Sequence, residues 1–179
     1  MDILIRQERP ADYRTTEEIV KKAFLNEEHS DKREHILVKN IRNTDAFIPE
    51  LSLVAVNEDQ AIAGHILLSK IMIVNEETLE EADSLALAPV SVAPKQQNKG
   101  IGSKLIRHAL RTAKDIGYHS VIVLGHQDYY PKFGFMPASR WNIHAPFEVP
   151  DEVFMAIELT ENSLKNIQGV VHYSKAFFE

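Results

Sequence analysis

PKQQNKGIGSK, residues 94–104, joins two apolar stretches through a polar, basic turn that holds two glycines one residue apart. The 179-residue chain has only seven glycines, so pairing Gly100 with Gly102 marks a place where bare backbone permits close approach. Upstream, residues 84–94 (SLALAPVSVAP) read as a strand. Pro89 within it forbids one ladder hydrogen bond, which points to an edge, a bulge or a splay. Downstream, Ile101, Leu105, Ala109, Leu110, Ala113 and Ile116 recur at helical spacing, and Gly117 supplies a stop. Residues 120–125 (SVIVLG) form a continuous apolar run of the kind found in a strand covered on both faces. A right-handed crossover through the helix makes these two strands parallel.

The flanks extend this mixed pattern. Residues 3–7 (ILIRQ) alternate as a short strand, and Pro10 opens a helical segment with Ile19, Val20, Ala23 and Phe24 on one face. Thr15 and Glu18 have capping-box spacing, with Asp12 as a competing cap. A second helix is predicted over 29–42, with Ile36, Leu37 and Ile41 inward. Residues 51–56 and 61–74 form a hairpin around the turn NEDQ. DYYPKFGF, residues 128–135, reads as a short helical turn feeding a strand, and residues 152–159 (EVFMAIEL) as the last clear strand. No repeat, low-complexity tract or linker divides the chain, so residues 1–179 are expected to form a single domain.

Composition narrows the classes. The chain has no cysteine, which excludes disulfides, zinc–thiolate sites and a thiol nucleophile, and fits a reducing compartment. Charges fall too early in the sequence for a signal peptide, and no apolar run approaches the roughly 20 residues that span a bilayer. A cytoplasmic protein without membrane association is expected. The net charge of −6 argues against a nucleic-acid binder that relies on a broad basic surface. His29 and His35 lack the four-residue spacing of a helical metal pair, and no metal is expected.

A glycine turn leading into a helix is an anion site, because the first helical N–H groups lack internal partners and the dipole adds positive character. Three phosphate-binding patterns use it. A P-loop needs Gly, four residues, then Gly-Lys-Ser/Thr, whereas Ser103 and Lys104 follow Gly102 in the other order. A dinucleotide fingerprint needs a small residue where Leu105 stands. The third pattern, Gln/Arg-x-x-Gly-x-Gly/Ala after a strand, is met by Gln97, Asn98, Lys99, Gly100, Ile101 and Gly102. With LAPVSVAP ahead of it and the box Tyr129-Tyr130-Pro131-Lys132-Phe133-Gly134-Phe135 behind, the chain resembles the GCN5-related N-acetyltransferase (GNAT) family over nearly its whole length. The resemblance is strongest to its YhbS-like branch.

That resemblance implies an α/β (α+β) fold: a mixed, mostly antiparallel sheet whose central parallel pair splays at a bulge, flanked by helices. It implies acetyl-CoA as co-substrate, with the pyrophosphate on the N–H groups of Asn98 to Ser103. Lys99 and Lys104 lie beside it, and the pantetheine arm runs along Val90, Ser91 and Val92. It implies acetyl transfer to a primary amine of a small molecule, protein or peptide by direct attack in a ternary complex. Tyr130, four residues before Gly134, takes the general-acid position. His65 is a candidate base because imidazole titrates near neutrality. Glu27, Glu28 and His29 lie where the family builds its substrate wall, and Tyr129 is expected to pack or to face the acceptor. A homodimer is the family habit. The rival reading from another class is a non-catalytic acyl-CoA-binding regulatory module.

Overall fold

The computed structural model describes residues 2–179. Strand β1 (Leu4–Gln7) is followed by a 3-10 turn at Pro10–Asp12 and helix α1 (Tyr13–Phe24). The capping box predicted at Thr15 and Glu18 falls inside this helix. The Asp12 carboxylate instead accepts from the Arg9 backbone at 2.8 Å and pairs with Arg6 at 2.7 Å, which starts the helix earlier. Helix α2 spans Glu34–Arg42, shorter than expected, and buries Val38 and Ile41 while Ile36 and Leu37 stay half-buried.

Strands β2 (Ser52–Val56), β3 (Ile62–Val74) and β4 (Glu81–Val92) form an antiparallel meander, and helix α3 (Ile101–Asp115) crosses to β5 (Ser120–Leu124). Short strands β6 (Met136–Pro137) and β7 (Ile143–His144), then β8 (Phe154–Glu158) and β9 (Gly169–His172), complete an open sheet in the order β1-β2-β3-β4-β5-β8-β6. β9 pairs with the far half of β3, beyond the reach of β2, and carries β7 on its other side. Sequence alternation did not disclose β9. β4 and β5 form the predicted parallel pair.

The two-residue repeat of β3 divides the core. Ile66 and Leu68 face α3, where Ile101, Leu105, Ile106, Ala109 and Ala113 cover them, while Leu67 faces Val20, Val38 and Ile41 of α1 and α2. Helices therefore cover both faces of β3. β5 has α3 against Val121 and Val123 on one face and the C-terminal third against Ile122 on the other, which explains its apolar run. Among the described residues no helix is long and apolar enough to cross a membrane.

Candidate active site

The bulge signalled by Pro89 lies where expected. Val90 stands opposite Ile66 and Leu87 opposite Leu68, so three steps along β4 match two along β3. The parallel pairing to β5 ends at the same level, since only Leu85–Val121 and Ala86–Ile122 are in register. Beyond them the strands separate. The Ala93 N–H donates to Ala63 at 2.8 Å, so by alternation Ser91 turns its main chain into the β3 ladder while Val90 and Val92 turn theirs to the open side. The Ser91 side chain is buried and its hydroxyl has no partner among the described residues. Of the three residues expected along the cofactor arm, Val90 and Val92 present main-chain groups to the splay and Ser91 does not.

Helix α3 begins at the mouth of that splay. Its first internal bond runs from the Lys104 N–H to the Gly100 carbonyl at 3.1 Å, leaving the N–H groups of Ile101, Gly102 and Ser103 without helical partners. Among the described residues no side chain caps them. Asn98 and Gly100 both take left-handed backbone, at φ 64° and 80°, folding the loop back over the helix end. The Gln97 amide donates to the Val92 carbonyl at 3.2 Å and so ties the loop to the end of β4. Lys99 and Lys104 stand exposed at the rim. A Cβ at Gly102 would sit 3.3 Å from the Tyr129 hydroxyl and 3.7 Å from Val92, so that phenol closes over the start of α3. Uncapped donors, bare backbone and flanking lysines fit a pyrophosphate.

Tyr130 enters from the α3 side, packed edge-on to Tyr129 and Phe135 at centroid distances of 5.1 and 5.7 Å. Its ring lies over Gly125, where a Cβ would come within 2.3 Å of it. Burial, and secondarily the neighbouring Tyr129, push its pKa well above the usual phenol value, so the hydroxyl stays protonated. The role of Gly125 as a seat for this ring was missed from sequence, although a glycine ending an apolar strand was a visible signal.

On the α1–α2 face, a cleft of about 390 Å³ opens behind the splay. Leu87, Ala88 and Leu124 line it from the sheet, His29, Asp31, Arg33 and Glu34 from the start of α2, and Phe147, Tyr173 and Phe177 from the C-terminal third. Of the acceptor-side residues expected from sequence, only His29 lies on this wall. Glu27 and Glu28 are exposed and do not line it, and Tyr129 sits across the sheet beside Gly102. The expectation of His65 as base gives way. His65 is fully buried, its Nε2 lies 3.1 Å from the Ser52 hydroxyl, and it does not line the cleft. Burial, with Arg42 adding repulsion and Glu8 opposing, lowers its pKa to about 4, so it takes up little proton near neutrality.

The same arrangement is found in a known family. The sequence profile of the acetyltransferase (GNAT) family matches residues 13–135, and the chain belongs to that family. Within it, the chain is similar to two N-acetyltransferases of Escherichia coli K12 described as uncharacterized. It is 36% identical to YjhQ over 121 residues, covering 67% of this chain and 65% of that protein. It is 25% identical to YhbS over 175 residues, covering 98% of each. The fold matches E. coli YhbS crystallised with CoA at a TM-score of 0.87, over 99% of this chain and 92% of that one, at 23% identity. A Brucella melitensis GNAT-family acetyltransferase in complex with acetyl-CoA matches at 0.80 with 31% identity, over 98% of each chain.

Proposed function

We propose that this protein transfers acetyl from acetyl-CoA to a primary amine by direct attack within a ternary complex. The observation that carries this is the opening of the β4–β5 pair beyond Ala86 and Ile122. At that level the uncapped start of α3 lies on one side of the sheet and the 390 Å³ cleft on the other. A donor anchored on one side thus meets an acceptor arriving from the other.

Ile101, Gly102 and Ser103 offer backbone N–H groups to the pyrophosphate, with Lys99 and Lys104 adding charge and Asn98 shaping the loop. Val90 and Val92 pair with the pantetheine arm as a neighbouring strand would. When bound, acetyl-CoA supplies an activated acetyl thioester. The Val90 N–H, turned to the open side of β4, would donate to a thioester oxygen as negative charge develops on it. Tyr130 holds a proton at its hydroxyl for the departing sulfur, and burial keeps that proton in place at neutral pH.

The proposal treats residues 1–179 as one domain, supported by the pairing of β9 with β3, which brings the C-terminal segment into the same sheet. It includes a cytoplasmic location, no metal requirement and a homodimer. A chelator is expected to leave turnover unchanged, and sedimentation velocity tests the dimer. The central experiment titrates the protein calorimetrically with acetyl-CoA, CoA and NAD, then follows free thiol release with mixed amines. Binding of both CoA species, no binding of NAD, and amine-dependent thiol release are expected. Binding without thiol release from any amine would instead favour the regulatory module, and absence of CoA binding would sink both readings.

A further inference from the structure

The cleft on the α1–α2 face has chemistry on its walls that says what kind of amine it takes. Its sheet side is aliphatic, from Leu87, Ala88 and Leu124. The C-terminal segment supplies an aromatic wall. Phe147 and Tyr173 stack with centroids 6.1 Å apart and planes 18° from parallel, and Phe177 leans on Tyr173 at 4.8 Å. Phe147 keeps 41% of its surface exposed although it lines the cleft, so ring area remains uncovered there.

The third wall is the first turn of α2, which sets Glu34 against the cleft. One oxygen of its carboxylate accepts from the Ser30 hydroxyl, while the other, Oε1, is buried and has no partner among the described residues. No ion pair to a described lysine or arginine neutralises it. Neighbouring Arg33 reaches instead to the Glu179 backbone carbonyl at 3.4 Å. The α2 dipole explains why a carboxylate is favoured at this position, but not why one oxygen is buried without a donor. The carboxylate therefore brings an unneutralised negative charge to the cleft wall. An ammonium in the cleft compensates it, and a charge-assisted bond to the carboxylate is a strong one.

A carboxylate beside aromatic faces, in a cleft of small-ligand size, selects a cation joined to a flat apolar body. We infer that the acceptor is a small arylalkylamine. Its ring lies against Phe147 and Tyr173, and its ammonium arrives on Glu34 before transfer. The inference rests on the acetyl-transfer reading for what happens next, but the amine's recognition stands on this cleft alone.

The test is equilibrium binding, read by calorimetry on protein saturated with CoA, using 2-phenylethylamine, 1,4-diaminobutane and a lysine-containing pentapeptide as probes. 2-Phenylethylamine is expected to bind about tenfold or more tighter than the other two. Glu34→Gln keeps the side-chain shape and removes the charge, and is expected to weaken 2-phenylethylamine by about tenfold or more with acetyl-CoA affinity unchanged. Phe147→Ala, at a position that keeps 41% of its surface exposed, should weaken 2-phenylethylamine and leave the diamine unchanged. Equal binding of the three probes, preference for the diamine or the peptide, or indifference to Glu34→Gln would each overturn the assignment. A separate acetyl-CoA titration reports on the underlying transferase reading, so the two fail independently.

Discussion

Tyr129 and Tyr130 are adjacent in the chain yet reach different places, because Gly102 faces the hydroxyl of the first and Gly125 lies beneath the ring of the second. Tyr129 is half-buried and sits over the start of α3, with the Lys132 ammonium 4.1 Å from its ring centroid. Tyr130 is enclosed, and that enclosure raises its pKa. Substituting Tyr130→Phe keeps the ring on its seat and removes only the hydroxyl. It is expected to lower kcat by about 100-fold, the ordinary scale for a general acid, with the dissociation constant for acetyl-CoA unchanged. Because the hydroxyl stays protonated beyond the ordinary phenol range, the wild-type rate should show no alkaline decline below pH ~10 from this group. Stopped-time thiol assays across pH 7–10 on both proteins check this, and an intact rate in Tyr130→Phe removes the acid role. The spacing of Tyr130 from Gly134 made it legible in the sequence. His65 was misjudged for the opposite reason: an imidazole on a strand carries no sequence mark of the burial that lowers its pKa.

At the scale of elements, the central strand–turn–helix was readable because each piece carries a local signal. Pro89 marks the bulge, Gln97 to Gly102 the loop, and the apolar spacing after Ile101 the helix. β9 was not readable, since its four residues find their partner in the far half of β3, about a hundred positions away. The late start of α2 has a local cause that propensity does not convey. The Ser30 hydroxyl accepts from the Lys32 N–H and the Asp31 carboxylate from the Arg33 N–H, both at 2.9 Å, which holds a turn where the helix was expected. The loop element yields its own prediction through Gly102→Ala. The added methyl would press on the Tyr129 hydroxyl and make ordinary contact with Val92, and alanine in a helical first turn gains up to about 1 kcal/mol over glycine. Thermal stability is therefore expected to hold or rise. Acetyl-CoA affinity is expected to hold as well, because the Gln/Arg-x-x-Gly-x-Gly/Ala pattern admits alanine at this position and the methyl points at Tyr129 and Val92 rather than at the free N–H groups. A folded variant that loses acetyl-CoA binding, measured by calorimetry, would contradict the reading of this loop as one that accepts alanine there.

Over the whole molecule, helices α1 and α2 are tied to the sheet by one buried polar cluster. Glu8, just after β1, accepts from Arg42 of α2 at 2.8 Å and from the Ser52 hydroxyl of β2 at 2.7 Å. Arg42 also pairs with Glu17 of α1 at 2.6 Å and lies 3.8 Å over the Tyr13 ring. Ser52 in turn contacts His65 of β3. Glu8 has no side-chain exposure and Arg42 only 6%, so removing the arginine strands a carboxylate in the interior. Arg42→Met is expected to cost roughly 3–5 kcal/mol, a large part of the 5–15 kcal/mol that holds a typical domain. The cluster also makes stability depend on pH. The folded pKa of His65, about 4, lies below its unfolded value near 6.5, so between these limits the unfolded chain binds more protons. His65 therefore contributes stability that is full above pH 6.5 and is lost as pH falls toward 4, amounting to roughly 3 kcal/mol by the shift. Urea unfolding at pH 7 and pH 5 should show this loss in the wild type and a flatter profile in His65→Gln. In Arg42→Met the repulsion on His65 disappears while the Glu8 attraction stays, so its folded pKa rises toward the unfolded value. That variant should thus be weaker at pH 7 yet lose less on acidification. An unchanged pH dependence in either variant would place the acid sensitivity elsewhere in the molecule.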